Sequence, residues 1–335
     1  MRTATSIIDD DTLLTKDVFD ARLADQGVEL DAHTIRTWRT RGLLPHSVRG
    51  GLARYDESSV AQAVEAARLF AGKDNEAHVG WELWWRGFDV AEPWWRPTIE
   101  VHRGKRTSAM RRIAKYVAPP QVDAPTSAEI VWTLHEAIES GRTPEAGDLP
   151  DAVKKLAALR QSEGERILSA PLKVEAAVRT LLDTCASAPN PKISSLHFKP
   201  VRVERLYAAR DTVRCVLEAG AALHDAMATL APGRALRLKP LKWLSEESPK
   251  TIRADLAVRW MAAGDLDRPE ILPDAAASLR ADAFATRSAA EDVARSIKAR
   301  PDVRSACTPQ RLRNASRRQD ALAALAGRVR RQKDA

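Results

Sequence analysis

Residues 34–55 constrain the fold more than any other segment. They run Thr-Ile-Arg-Thr-Trp-Arg-Thr-Arg-Gly-Leu-Leu-Pro-His-Ser-Val-Arg-Gly-Gly-Leu-Ala-Arg-Tyr. Asp31 is the predicted N-cap of a short helix with Ile35 and Trp38 on one side and Arg36 and Arg39 pointing elsewhere. Gly42 ends that helix, because glycine best tolerates the left-handed conformation that follows a helix terminus. Leu43 and Leu44 are candidate core residues, and Pro45 stops the helix from resuming. A Gly50-Gly51 turn then joins two very short strands, flanked by Arg49 and Arg54. Upstream, Thr15 is the predicted N-cap of a helix with the apolar stripe Val18, Phe19 and Leu23, ended by Gly27. Downstream, Asp56 caps a third helix with Val60, Val64, Ala67 and Phe70 on one side. A basic helix joined to a basic hairpin suits a helix in the major groove of duplex DNA, with a wing on the neighbouring phosphates.

The charge is segregated in a way that fits a polyanion partner. Residues 31–55 carry five Arg and one Asp, residues 101–118 carry six Lys/Arg and no acid, and residues 310–335 carry eight Lys/Arg against two Asp. The whole chain is only +8, so the rest of it is acidic. Cationic segments of this kind bind DNA by displacing condensed counterions. Taken singly, each segment also fits an ordinary solvated helix face.

The first segment resembles the DNA-binding head of the MerR family of bacterial transcription regulators. The residues that carry the likeness are Thr34, Ile35, Arg36, Trp38, Gly42, Leu43, Leu44, Pro45, Arg54 and Tyr55, in the family's order. It covers about residues 12–78. Departures are a longer turn between Gly27 and His33, Thr37 where an aromatic is common, and a short wing. The resemblance implies a winged helix-turn-helix in which Arg36 and Trp38 touch the backbone or base edges. It further implies that Arg39 and Arg41 reach the groove or its flanks, that Arg49 reaches phosphate from the wing tip, and that Arg54 and Tyr55 tie the wing to the third helix and the DNA backbone. Trp38 also fits a purely core role, and Arg54 an ion-pair role.

Five of nine tryptophans, Trp81, Trp84, Trp85, Trp94 and Trp95, fall within fifteen residues. Trp81, Trp84, Trp85 and Phe88 follow helical spacing, interrupted by Gly87 and Pro93. Such a cluster serves as a packed core, as an aromatic-lined pocket for a small molecule, or as stacking platforms for bases. The expected organisation is a flexible tail over 1–11, the head over 12–78, a Trp-rich connector with a basic helix over 79–118, a Pro-rich linker over 119–126, and an all-helical region over 127–335. Helical patterns in that last region fall at 127–140, 151–168, 172–187, 201–231, 248–263, 270–299 and 309–332. The fold class is therefore mainly α, with one two-stranded wing. No internal repeat of fixed period is visible. Val213, Val216, Gly220, Leu223, Met227 and Leu230 form a 3-4 seam that suits either a partner helix within the chain or a dimer interface.

Enzyme motifs are absent: there is no Gly-rich phosphate loop, nucleophile elbow or paired zinc-ligand motif. Cys185, Cys215 and Cys307 are far apart, and the histidines are dispersed, with His33 and His46 flanking the second helix. No metal, no cofactor and no catalytic residue is expected. No apolar run has membrane length and no signal-peptide core follows Met1, so a cytoplasmic, nucleoid-associated protein is expected. The functional expectation is a transcription regulator that binds double-stranded DNA. An architectural, recombination or partition protein with the same head, and a helical interaction scaffold, stand as alternatives. A homodimer and a small-molecule or protein effector are the further partners considered.

Overall fold

A computed structural model describes residues 13–49, 51–72, 75–101, 165–188, 200–230, 232–264 and 271–298. In chain order the elements are α1 (Lys16–Asp25), α2 (Ala32–Thr40), β1 (Ser47–Arg49), β2 (Leu52–Arg54), α3 (Glu57–Ala71), α4 (Glu76–Trp85), α5 (Glu92–Val101), α6 (Glu165–Ser187), α7 (Pro200–Leu230), α8 (Pro232–Lys242), a π-helical turn (Trp243–Glu247), α9 (Lys250–Ala262) and α10 (Pro273–Lys298). The described residues are thus mainly helical. The tail over 1–11, most of the basic segment over 101–118, the linker over 119–126, the patterns at 127–140 and 309–332, most of the pattern at 151–168, and Cys307 lie outside the described residues.

Two compact units divide the chain, interleaved in sequence. The first is Met1–Lys105, Ala188–Arg214 and Pro249–Gly264; the second is Arg106–Ser187, Cys215–Ser248 and Asp265–Ala335. Residues expected to share one helical region therefore fall into both units, and the Trp-rich segment belongs to the first.

Caps set the helices of the first unit. Thr15, Asp31, Asp56 and Asn75 each accept a hydrogen bond from the backbone N–H three residues on. α1 and α2 bury Phe19, Leu23, Ile35 and Trp38; Val18, expected in that stripe, is 43 % exposed. β1 and β2 pair antiparallel, with Val48 opposite Ala53 and Arg49 opposite Leu52. The core face of α3 is Val60, Ala63, Ala66 and Leu69, one position away from the expected Val64, Ala67 and Phe70, which are half-buried.

The structure holds a repeat that the sequence hides. α4 and α5 restate α1 and α2 at an offset of 60 residues, Lys16 to Glu76 and Ala32 to Glu92. Gly27 and Gly87 both end the first helix of the pair with positive φ, 72° and 100°. The N–H of each glycine bonds three residues back, and the next N–H (Val28, Phe88) bonds the carbonyl of Leu23 or Leu83. Leu23/Leu83 and Ile35/Trp95 are matched buried positions. The two copies share backbone conformation and a few buried positions but few identities, and α4 buries Trp81, Glu82, Trp84 and Trp85 where α1 exposes the matching residues, so a search for residue periodicity passes over them.

In the second unit α6 packs along α10. From Cys215 onward α7 belongs to this unit, and Gly220 lets it approach α8: a Cβ there would stand 3.1 Å from Leu241 Cδ1 and 3.2 Å from its Cβ. Val216, Leu223 and Met227 are buried in the same chain. The 3-4 seam is therefore an internal packing surface, not an exposed face awaiting a second copy. The Leu230 side chain lies outside the described residues.

A charge cluster ties α7, α8 and α10 together. Lys242 Nζ donates to Asp225 Oδ1 at 2.7 Å, His224 Nδ1 lies 3.0 Å from the same oxygen, and Arg287 lies 3.2 Å from Oδ2. Burial alone pushes the Asp225 carboxyl up, but the hydrogen bonds from Lys242 and His224 and the neighbouring cations outweigh it and hold the carboxyl below its usual range. A depressed carboxyl contributes stability that is full above the unfolded value of 3.8 and is lost as pH falls through the folded value. Asp225→Asn is therefore expected to lower the urea midpoint at pH 7, with the gap from wild type shrinking at pH 3. An equal gap at both pH values would show that the carboxylate charge contributes nothing.

Candidate nucleic-acid interface

Asp31 fixes the start of α2. Its Oδ1 accepts from the Thr34 N–H and its Oδ2 from the Thr34 hydroxyl, both at 2.8 Å. Because Ile35 and Trp38 face inward, Arg36 emerges on the exposed side. Among the described residues no carboxylate pairs with the Arg36 side chain. His33 is also exposed and His46 half-buried.

The other expected contacts separate into distinct environments. Arg39 is half-buried and donates from Nη1 to the Tyr55 hydroxyl at 3.4 Å, with its guanidinium carbon 6.0 Å from the ring centroid. Arg41 is exposed and pairs with Glu76. Arg54 is half-buried on β2, opposite Ser47. Arg49 ends β1, and its side chain lies outside the described residues.

Two expected contacts are core residues instead. Trp38 is 7 % exposed and stacks on Phe70 with centroids 5.4 Å apart. Tyr55 is 1 % exposed, stacks on Phe19 at 4.0 Å, and bridges through its backbone to Leu14. Aromatic rings bury on the order of 150–250 Å² each, so at these positions packing has taken the ring that the motif alone left open to DNA.

Four of the five clustered tryptophans pack in a core. Trp81, Trp84, Trp85 and Trp95 are all nearly inaccessible. Trp84 lies 5.0 Å from Trp81 and 5.2 Å from Trp95, and Tyr207 meets Trp84 and Trp95 edge-on. The rings contact one another. Arg210 sits over Tyr207 at 4.5 Å and Trp84 at 5.2 Å and donates to the Trp84 carbonyl. Trp94 differs from the rest: it is half-buried, and its indole N–H donates to the Arg41 carbonyl at 2.7 Å.

That bond belongs to a bracket around the end of α2 that the motif did not reveal. The Ala91 N–H donates to the Gly42 carbonyl at 2.9 Å. Gln62 Nε2 donates to the carbonyls of Leu43 (2.5 Å) and Asp89 (3.0 Å). Gly42 has φ 72°, and a Cβ there would stand 2.5 Å from Ala91 Cβ. Glycine at 42 therefore serves both the turn and the close approach of a second segment. Three consecutive carbonyls, 41 to 43, are satisfied by donors outside the helix they follow.

Cys185 and Cys215 are buried thiols. Among the described residues no group of three His, Cys, Asp or Glu side chains is placed to hold a metal, and no helix is long and apolar enough to cross a membrane. Compared with known proteins, the chain matches no family model, no curated protein and no solved structure.

Proposed function

We propose that this chain is a sequence-specific DNA-binding protein that regulates transcription, with α1, α2, the β1–β2 ribbon and α3 acting as a winged helix-turn-helix. The observation that carries this reading is Arg36: it stands exposed on α2, beside a rigid core and opposite the buried Ile35 and Trp38. A rigidly mounted cation on a helix of this length suits the major groove, and the ribbon supplies a second contact to the backbone. Arg41 and Arg54 are the supporting cations. Arg39 acts mainly through Tyr55. A dimer on a two-fold site would use a surface other than the seam from Val213 to Met227.

The test uses a duplex selected by the wild-type protein from a random-sequence pool. Arg36→Ala is expected to weaken binding to it while leaving the thermal melt unchanged. If the side chain meets a phosphate, the slope of log affinity against log salt flattens by about 0.9; if it meets a base edge, discrimination at one position relaxes instead. Unchanged affinity, slope and sequence preference would remove α2 from the interface. A promoter fusion carrying the selected site separates a regulator from an architectural protein.

A further inference from the structure

The repeat shows that one helix pair can be built twice in this chain with different surfaces. In the first copy α2 presents Ala32, His33, Arg36 and Thr40 to solvent. The matching positions of the second copy are Glu92, Pro93, Arg96 and Glu100. Arg96 is held between Glu92 at 3.6 Å and Glu100 at 2.7 Å. The cation of the second copy is thus neutralised on its own helix, and two carboxylates beside it oppose a phosphate backbone. The second copy has instead polar contacts with the end of α2, through the carbonyls of Arg41 and Gly42.

We propose that Trp94 is a positioning residue for α2, setting the angle at which the first copy meets DNA; this rests on the DNA-binding reading above. The indole is itself fixed. It lies against Gly80 of α4, where a Cβ would stand 2.7 Å from Trp94 Cβ and Cε3 and 2.8 Å from Cδ2, so only glycine admits it. Its N–H then meets the Arg41 carbonyl, one residue past the end of α2. The side chain touches the backbone that orients Arg36, not the DNA. Base readout needs donors placed within a few tenths of an ångström, so loss of this bond acts on discrimination before it acts on charge.

The decisive variant is Trp94→Phe, which keeps an aromatic ring against Gly80 while removing the donor and trimming the indole to a single ring. Binding is measured to the duplex selected by wild type and to a scrambled duplex of equal length, over a salt series, with a thermal melt of each protein. The expected result is a fall of about tenfold or more in the ratio of the two affinities, with scrambled-duplex affinity and both salt slopes unchanged. Trp94→His, which retains a ring N–H, is expected to recover part of the ratio. A ratio equal to wild type overturns the proposal, and so does a flatter salt slope, which would make Trp94 a backbone contact. A proportional loss on both duplexes with a lowered melt also overturns it, because that is general destabilisation. Failure of the DNA reading looks different: wild type itself then selects no sequence.

Discussion

Leu223→Glu is expected to unfold the second unit, with a loss of more than about 4 kcal/mol. Leu223 is 1 % exposed on α7, beside the close approach of Gly220 to Leu241. Deleting a buried leucine side chain to alanine already costs about 2–5 kcal/mol. Glutamate adds a charge that must either remain in an apolar surround or take up a proton. Circular dichroism at 25 °C should show lost helix, and the residual transition should move to much lower denaturant. Leu223→Met at the same position should stay within about 1.5 kcal/mol of wild type. A folded Leu223→Glu protein that merely changes from dimer to monomer would place this face at a subunit interface, against its burial in the single chain.

Glu82→Ala should be nearly as damaging to the first unit. Glu82 and Arg253 are both buried and form a two-pronged pair, Nη1 to Oε2 at 3.1 Å and Nη2 to Oε1 at 2.5 Å. The guanidinium also lies 5.6 Å from the Trp85 ring centroid. Removing the carboxylate strands a buried cation, which costs about 3–5 kcal/mol. Replacing both partners, Glu82→Leu with Arg253→Met, should recover most of that loss, because no unpaired charge remains. Guanidinium chloride titration of the single and double variants measures this. A single variant within about 1 kcal/mol of wild type would show that water reaches the pair, contrary to its burial.

The sequence was informative where local chemistry dictates structure. Asp31, Gly42 and Pro45 delimit α2 through capping, left-handed φ and a missing N–H, all of which act within a few residues. The long apolar patterns of α7, α9 and α10 were legible within a few residues of their observed ends for the same reason. What local chemistry does not encode is which face of an aromatic meets what. Trp38 and Tyr55 fit a DNA-contact motif as letters, yet Phe70 and Phe19 cover them. The tryptophan cluster took its partners from Tyr207, Arg210 and Arg253, more than a hundred residues away, and nothing in the spacing of the tryptophans points there. The bracket on α2 was hidden because it runs through backbone carbonyls and a single indole N–H. The repeat is hidden because the two copies agree in backbone conformation instead of letters.

The pairing of residue 82 with residue 253 also governs when during synthesis this protein can become functional. The two residues are 171 apart in the chain, and at typical translation rates that separation takes on the order of ten to thirty seconds to make. For most of that interval the second helix pair, with Trp84, Trp85 and Trp95, is without Tyr207 and Arg210, and until its end without α9, to cover it. Since this pair brackets the end of α2, the nascent chain carries its cationic segment before it has the rigid mount that would aim it. Such a chain should bind polyanions loosely and depend on chaperones to keep its tryptophans from other nascent chains. A gene fragment ending near residue 118 would hold the same state permanently, so it should accumulate as aggregate and not as a minimal DNA-binding domain.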